Sequence, residues 1–348
     1  MIPTVSSLTM GAQTQLLVNQ IQKQLTVAQT ELASGRVADA GIDLGANETQ
    51  SFALRQAIDQ INSFTSTNSI VSTELNATQG ALTSVASNGS AFANALLTAQ
   101  STGGDPALLQ QNAASSLATF TSLMNTESGG SFVFAGQNIG SQPLQDFNQT
   151  PPSAAQTALD TAFQSAFGVS VGSPTASAIT PAQMQQFLGN QFAALFDDTA
   201  WKSDWSSADD QPNSAKISAN QTITSSVSAN DPSFRQMATA MTMVAGLGIG
   251  SLSESTRQTV IAAATQAMQS GLQGLTSVQA SFGLAQQTVT NANATNSQQL
   301  SFLNTQVGDL ESVDPTQLAV QISDWKTQLE TSYSLTAQLQ NLSLVKYL

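Results

Sequence analysis

Two apolar lines, one near each end of the chain, most constrain how it can fold. Val18, Ile21, Leu25, Ala28 and Leu32 step by 3, 4, 3 and 4 residues. Far away in sequence, Leu318, Ile322, Trp325 and Leu329 step by 4, 3 and 4, and Leu335, Leu339 and Leu342 continue by 4 and 3. Such spacing gathers each set into one narrow stripe on a helix, the width of a coiled-coil seam. Two readings are open. Each helix could lie on an ordinary globular core, or the two terminal helices could pair with each other or with neighbouring subunits. Tyr347 would extend the C-terminal line.

The interior repeats the pattern over longer spans. Between about 48 and 101, Leu75, Leu82, Val85, Phe92, Leu96 and Ala99 keep the 3/4 steps, with Thr78 and Gly89 as weak members. An unbroken helix of that span would be roughly 80 Å long, well beyond a typical globular helix. A second stretch runs from about Glu254 to Leu310 and ends in Leu300, Leu303, Val307 and Leu310. Helix starts are well marked. Asp105-Pro106, Asp231-Pro232, Asp314-Pro315 and Thr180-Pro181 each place a capping side chain before a proline suited to the first helical position. Ser251 and Glu254 have capping-box spacing. Long helices in both halves predict a rod-shaped bundle.

The segment from Gly129 to Leu144 breaks this regime. Gly129 and Gly130 would stop the preceding helix, and "SFVFAG" from Ser131 would be the first strand of a hairpin whose phenylalanines pack on the bundle. Gly136 to Gly140 would turn the chain, and Pro143 would lead it away. Residues 143–232 hold most of the prolines and two of the three tryptophans. There "FQSAFGVSVGSPTASAIT" predicts short strands around Gly and Pro turns, and "AQMQQFLGNQFAALF" a short helix. "ISANQTITSSVSA" predicts a hairpin, with Ile223, Ser225 and Val227 alternating against polar neighbours. "MTMVAGLGIGSL" fits a buried helix end and a turn. The expected fold is mainly α: an elongated bundle and coiled coil made by both termini, with a β-hairpin and a small inserted mixed α/β domain.

Composition excludes several functions. Only 9% of the 348 residues are charged, and the net charge is -13. No Lys or Arg occurs between Arg55 and Lys202. A nucleic-acid interface needs a basic footprint, and anionic membrane binding needs one too. The chain has no Cys and no His, which removes thiol nucleophiles, Ser-His-Asp triads and the usual zinc sites. The N-terminal stretch lacks the basic region and apolar core of a secretory signal, and no window is apolar enough to span a membrane.

The only candidate sites for metal or acid–base chemistry are acidic. Asp197, Asp198 and Asp204 cluster in "FDDTAWKSDW", and Asp209 and Asp210 follow. Paired carboxylates could bind a hard cation or move a proton, but calcium-loop spacing is absent and no nucleophile accompanies them. A solvated acidic loop is the expectation, with no catalytic residue, no metal and no cofactor. "GIDLGAN" and "GLGIG" lack phosphate-loop spacing.

"QIQKQLTVAQTELASGRVADAGIDLGANETQSFALRQAID" resembles the amino-terminal region of the flagellin superfamily. The family motif falls on Leu32, Ser34, Gly35 and Arg36. "DPTQLAVQISDWKTQLETSYSLTAQLQNLSLVKYL" is similar to the matching carboxy-terminal helix. "FVFAG" (Phe132, Val133, Phe134, Ala135 and Gly136), followed by a polar turn and "PLQDF", resembles the hook-associated branch at the hook–filament junction. The ending "LSLVKYL" leans the same way, and the central segment resembles versions from Rhizobium-like bacteria. Where the family usually carries "PSDDPA", this chain has "DAGIDLGANE" at 39–48.

The resemblance implies a structural subunit and no enzyme. It implies a terminal coiled coil from 1–40 with 305–348 that lines a tubular polymer. A rod-like bundle with its hairpin would span 41–142 with 233–304, and an outward-facing insert 143–232. The assembly interface would be the two seams. Implied partners are other copies in a ring or tube, flagellin, another hook-associated protein and a flagellar export chaperone, with neither nucleic acid nor membrane. Implied localisation is the flagellum, reached through the flagellar type III export apparatus. Filament flagellin itself, an enzyme carried by the insert, and a coiled-coil adhesin are the competing readings. Low charge suits a subunit surrounded by copies of itself, because burying unpaired charge costs several kcal/mol whereas amides and hydroxyls can pair.

Overall fold

The computed structural model describes residues 7–345, with backbone alone at 7–10, 40, 43, 102 and 339–345. Tyr347 lies outside the described residues, as do the side chains of Leu339 and Leu342. The chain forms two compact units, one of residues up to Ser63 and from Thr295, the other Phe64–Ala294. The division falls inside two long helices, α3 (Glu48–Thr102) and α9 (Glu254–Glu311).

In the first unit, α1 (Ser7–Ser34) packs against α10 (Pro315–Val345). The pair is antiparallel: Gln22 donates to the Tyr333 hydroxyl at 2.7 Å, while the later Ala28 clusters with the earlier Leu318 and Ile322. Asp314 caps α10 as its Asp-Pro signal predicts, accepting from Thr316 N at 2.8 Å. The short helix α2 (Ala40–Asp43) precedes a single 3-10 turn at Gly45–Asn47 and then α3.

The second unit holds the main core. Leu75, Leu82, Val85, Phe92 and Leu96 of α3 are fully buried, as the 3/4 spacing requires. The helices α4 (Pro106–Met124) and α8 (Pro232–Gly246) pack on each other, both started by the predicted Asp caps. Ten of the fifteen residues of α8 are buried. Its close approach to the neighbouring helices needs glycines. A methyl at Gly271 would meet Met237 Cγ at 2.6 Å, and one at Gly89 would overlap the end of the same side chain.

The expectations and the structure part in three places. First, the "SFVFAG" stretch supplies the second strand of its hairpin. Strand β1 (Glu127–Ser128) pairs antiparallel with β2 (Ser131–Phe132), and Gly129 and Gly130 are the turn between them, both at positive φ. The preceding helix has already ended at Met124, because the Asn125 side chain leaves it to pair with Leu144: Nδ2 donates to the Leu144 carbonyl and Oδ1 accepts from its N–H, both at 2.8 Å. Second, the strands expected in "FQSAFGVSVGSPTASAIT" are absent. The segment opens in helix α5 (Ala154–Phe167), capped by Ser153 and closed by Gly168 in the left-handed region, and later forms a 3-10 turn at Pro174–Ala178. Phe163 and Phe167 meet edge-on at i,i+4, with centroids 4.8 Å apart, a contact available to a helix and not to a strand. Third, Ser253 rather than Ser251 caps α9. Its Oγ accepts from Thr256 N at 3.3 Å, while Ser251 Oγ donates to the Gly172 carbonyl.

The rest of the insert follows the pattern. α6 (Pro181–Phe187) starts with a capping box from Thr180 and Gln183 and continues through a π-turn at Leu188–Phe192. α7 (Asp198–Asp204) is capped by Asp197. Strands β3 (Ser214–Ser218) and β4 (Gln221–Thr224) make the expected hairpin. A continuous string of rings, Phe163, Phe187, Phe192, Phe196, Trp201 and Trp205, fills its core at centroid spacings of 5.2–6.4 Å. The fold is mainly α, with long helices that pair, two small antiparallel hairpins and a small inserted domain.

Candidate functional site

The terminal seams meet within one chain. Val18 and Ile21 on α1 and Leu318 and Ile322 on α10 are buried, and Leu25 and Trp325 pack half-buried around Ala28 and Leu318. Leu329 is half-buried. Beyond it the seam runs over small polar residues, a buried Ser332 and a half-buried Thr336, and Leu335 turns away, 52% exposed. Leu32 is 40% exposed. Leu16, Leu17, Val27 and Val320 join these two as exposed large apolar residues on the same two helices. So the pair closes one apolar face and leaves Leu16, Leu17, Val27, Leu32, Val320 and Leu335 exposed.

The corner that holds the pair is built from Ser34, Gly35 and Arg36. Gly35, at φ 71°, ends α1, and its N–H donates to the Glu31 carbonyl at 2.7 Å. Ser34 Oγ donates to the Arg36 carbonyl at 3.0 Å, tightening the turn. The chain then bridges to the turn between α9 and α10: Val37 N donates to the Glu311 carbonyl at 2.9 Å and Val313 N to the Gly35 carbonyl at 3.3 Å. Beneath this bridge lies Glu311, only 1% exposed. Its carboxylate accepts from Arg55 Nε at 2.9 Å, from the other arm of that guanidinium and from Ser51 Oγ, and Arg36 stands 3.9 Å away. No hydrophobic pattern could have revealed this group, because it joins residues some 260 positions apart.

Arg55's hydrogen bond, more than any other influence, holds the Glu311 carboxyl below the ordinary carboxylate range; Ser51 and the charges of Arg55 and Arg36 add to it against the cost of burial. The sign follows from linkage. A carboxyl with a depressed folded pKa stabilises above its unfolded pKa, and that stabilisation is lost as pH falls through the folded value. Acidification below the usual carboxylate range should therefore loosen the α1–α10 corner. Hydrogen exchange at Val37 and Val313 should rise in that window, and Glu311→Gln should remove this pH dependence. An unchanged profile in Glu311→Gln would refute the role of the carboxylate.

The motif residues of "FVFAG" sit at the centre of the second unit. Phe134 and Ala135 are fully buried, and the Phe134 ring meets Phe234 edge-on at 5.5 Å. Phe132 and Val133 are half-buried. The backbone is clamped on both sides: Ala229 N donates to the Phe134 carbonyl at 2.8 Å and Asp209 N to the Ala135 carbonyl at 2.9 Å. At Gly136, φ is 63°, and a Cβ there would overlap the Asp209 carbonyl oxygen.

The acidic cluster is used internally. Asp197 caps α7, and Lys202 Nζ bridges Asp198 at 2.6 Å and Asp210 at 2.5 Å. Arg235 lies 3.6 Å from Asp198, and Asn230 donates to Asp210. Among the described residues, no group of three or more His, Cys, Asp or Glu could hold a metal ion, and no helix is long and apolar enough to cross a membrane.

Comparison with known proteins adds the family. Residues 5–139 match the bacterial flagellin N-terminal helical region, and 262–348 match the bacterial flagellin C-terminal helical region, together well over half the chain. No curated protein matches it. A solved structure described as a flagellar hook-associated protein from Vibrio parahaemolyticus shares the fold, with a TM-score of 0.53 at 12% identity, over 77% of this chain and 99% of that one.

Proposed function

The chain belongs to the flagellin family, a family of structural proteins, and from that premise we propose that it is the junction subunit joining hook to filament, of the hook-associated protein 3 type. At the coarser level it is a structural subunit of the bacterial flagellum that works by packing against other flagellar proteins. The observation that carries the reading is the pair α1 and α10. It buries Ile21, Leu318 and Ile322 within the chain yet leaves Leu16, Leu17, Leu32, Val320 and Leu335 open for other subunits. In this reading the terminal unit lines the tube, the insert 143–232 faces outward, and another hook-associated protein lies below with flagellin above. Export is through the flagellar type III apparatus with a dedicated chaperone. The "FVFAG" and "LSLVKYL" motifs, and a fold shared with the Vibrio parahaemolyticus protein, support junction over filament.

Deleting the gene is expected to leave hooks on the cell and shed filaments into the medium, with motility lost and restored by the full chain. Intact, attached filaments in the deletion strain would sink the junction role. Filament flagellin is the second reading, favoured only by the shared family regions. It predicts that this chain dominates the protein of sheared flagella, whereas a junction subunit is a trace band.

A further inference from the structure

Opposite their shared seam, α1 and α10 each carry a second stripe. On α1, Leu16, Gln20, Lys23 and Val27 step by 4, 3 and 4 residues, and all four are exposed. At about 100° per residue they gather on one face, roughly 150° around the helix from the seam of Val18, Ile21, Leu25 and Ala28. On α10, Val320, Asp324, Thr327 and Thr331 step by the same 4, 3 and 4, with Leu335 one turn further. They too are exposed, on the face opposite Leu318, Ile322 and Leu329. Both threonine hydroxyls donate to their own helix, Thr327 to the Ser323 carbonyl at 3.0 Å and Thr331 to the Thr327 carbonyl at 2.8 Å. What remains for contact is their methyls.

The inner face shows which helix α1 accepts. Within the chain it takes α10, antiparallel, with Ala28 beside Leu318 and Ile322 and Gln22 against Tyr333. The outer stripes match in the same antiparallel sense and within one turn of that register. Val27 meets Val320, Lys23 meets Asp324, Gln20 meets Thr327, and Leu16 meets Thr331. Charge picks out the partner. Lys23 is the one basic residue of α1, and α10 carries two acids, Asp324 and Glu330. Glu330 lies about 120° around the helix from Asp324, so only Asp324 answers Lys23. Neither has an ion-pair partner among the described residues, where the pairs of this unit join Arg36 and Arg55 to Glu311.

The two stripes of one chain point away from each other, so they cannot meet within it. We propose that α10 of a second copy docks on the outer face of α1 in this register, with Lys23 paired to Asp324 of that copy. The docking rests on the reading that this chain assembles with copies of itself, and it specifies which helix covers which face. An exposed pair of this kind fixes register and partner more than it adds affinity. Because the two stripes differ, the contact is head-to-tail, and α1 and α10 alternate around a ring or along a helical array.

The test uses engineered cysteines, which are unambiguous in a chain with none of its own. Gln20→Cys and Thr327→Cys place one thiol on each stripe, at facing positions of the register. Flagella are sheared from cells carrying the full-length double variant and oxidised. A ladder of multimers is expected on a non-reducing gel, with nothing beyond a dimer from either single variant. Adding Lys23→Glu should cut the ladder by about tenfold, since an attraction becomes a repulsion, and adding Asp324→Lys to that chain should restore it. A merely structural effect of Lys23→Glu would not be rescued in this way. No ladder, an internally cross-linked monomer, a ladder indifferent to Lys23→Glu, or a loss that Asp324→Lys leaves in place overturns the proposal. If the double-cysteine chain is absent from flagella, the junction reading fails instead. The same oxidation of the concentrated purified chain then decides the docking: a ladder upholds it and the absence of one overturns it.

Discussion

An Ile322→Asp chain is expected to lose its paired termini and its place in the flagellum while its main core stays folded. Ile322 is 8% exposed and packs with Ala28 and Leu318 in a small cluster separate from the large core. The substitution removes a buried aliphatic side chain and puts a carboxylate in its place with no cation among the cluster's members. The two effects together cost about 3–5 kcal/mol. A two-helix seam has few other contacts to absorb such a loss. Limited proteolysis should then clip α1 and α10 rapidly, and helical signal should fall. The cooperative unfolding of Phe64–Ala294 should be unchanged, because no core residue of that unit is touched. Ile322→Val, which keeps the seam apolar, should behave nearly as the parent does. Cells carrying Ile322→Asp should make hooks without filaments. Equal protease resistance and normal filament attachment would remove the seam from the account.

Gly136→Ala is the second large effect, and it acts on the other unit. At φ 63° an alanine is strained, and its methyl would overlap the Asp209 carbonyl oxygen. That carbonyl cannot retreat freely, because Asp209 N is tied to Ala135 O, and Ala229 N holds Phe134 O on the adjoining turn. Backbone strain plus overpacking is worth ~3 kcal/mol or more. The denaturant midpoint of Phe64–Ala294 should drop accordingly, with the α1–α10 corner unaffected. Gly140→Ala, where φ is not positive and no atom lies within 4 Å of the added methyl, should change little. Comparable midpoints for the two variants would show that the motif glycine is not a packing requirement.

These two sites differ in how far the sequence foretells them. The helices were legible because their apolar residues recur at the helical period: Leu75, Leu82, Phe92 and Leu96 form one line, and all end up fully buried. Asp-Pro pairs marked three helix starts because the capping chemistry is local, and each cap forms as expected. Where a segment's fate depends on distant atoms, the pattern misleads. Phe167, Val169 and Val171 alternate like a strand, yet packing of Phe163 and Phe167 against Phe187 sets a helix before Gly168. The α10 seam continues through Ser332 and Thr336, which an apolar count passes over in favour of Leu335. Glu311 draws Arg55, Ser51 and Arg36 together across the whole chain, and nothing in any one segment announces it. Gly136 was visible as part of a motif, but its reason, the carbonyl of Asp209, exists only in the folded chain.

The central claim is one of place, so the most direct measurement is to see where the chain sits. Immunogold labelling of flagella still attached to cells, using antibodies against the insert 143–232, is expected to give a single narrow band where hook meets filament. Label along the whole filament would make the chain a filament flagellin, and label confined to the cell surface away from flagella would contradict the account outright.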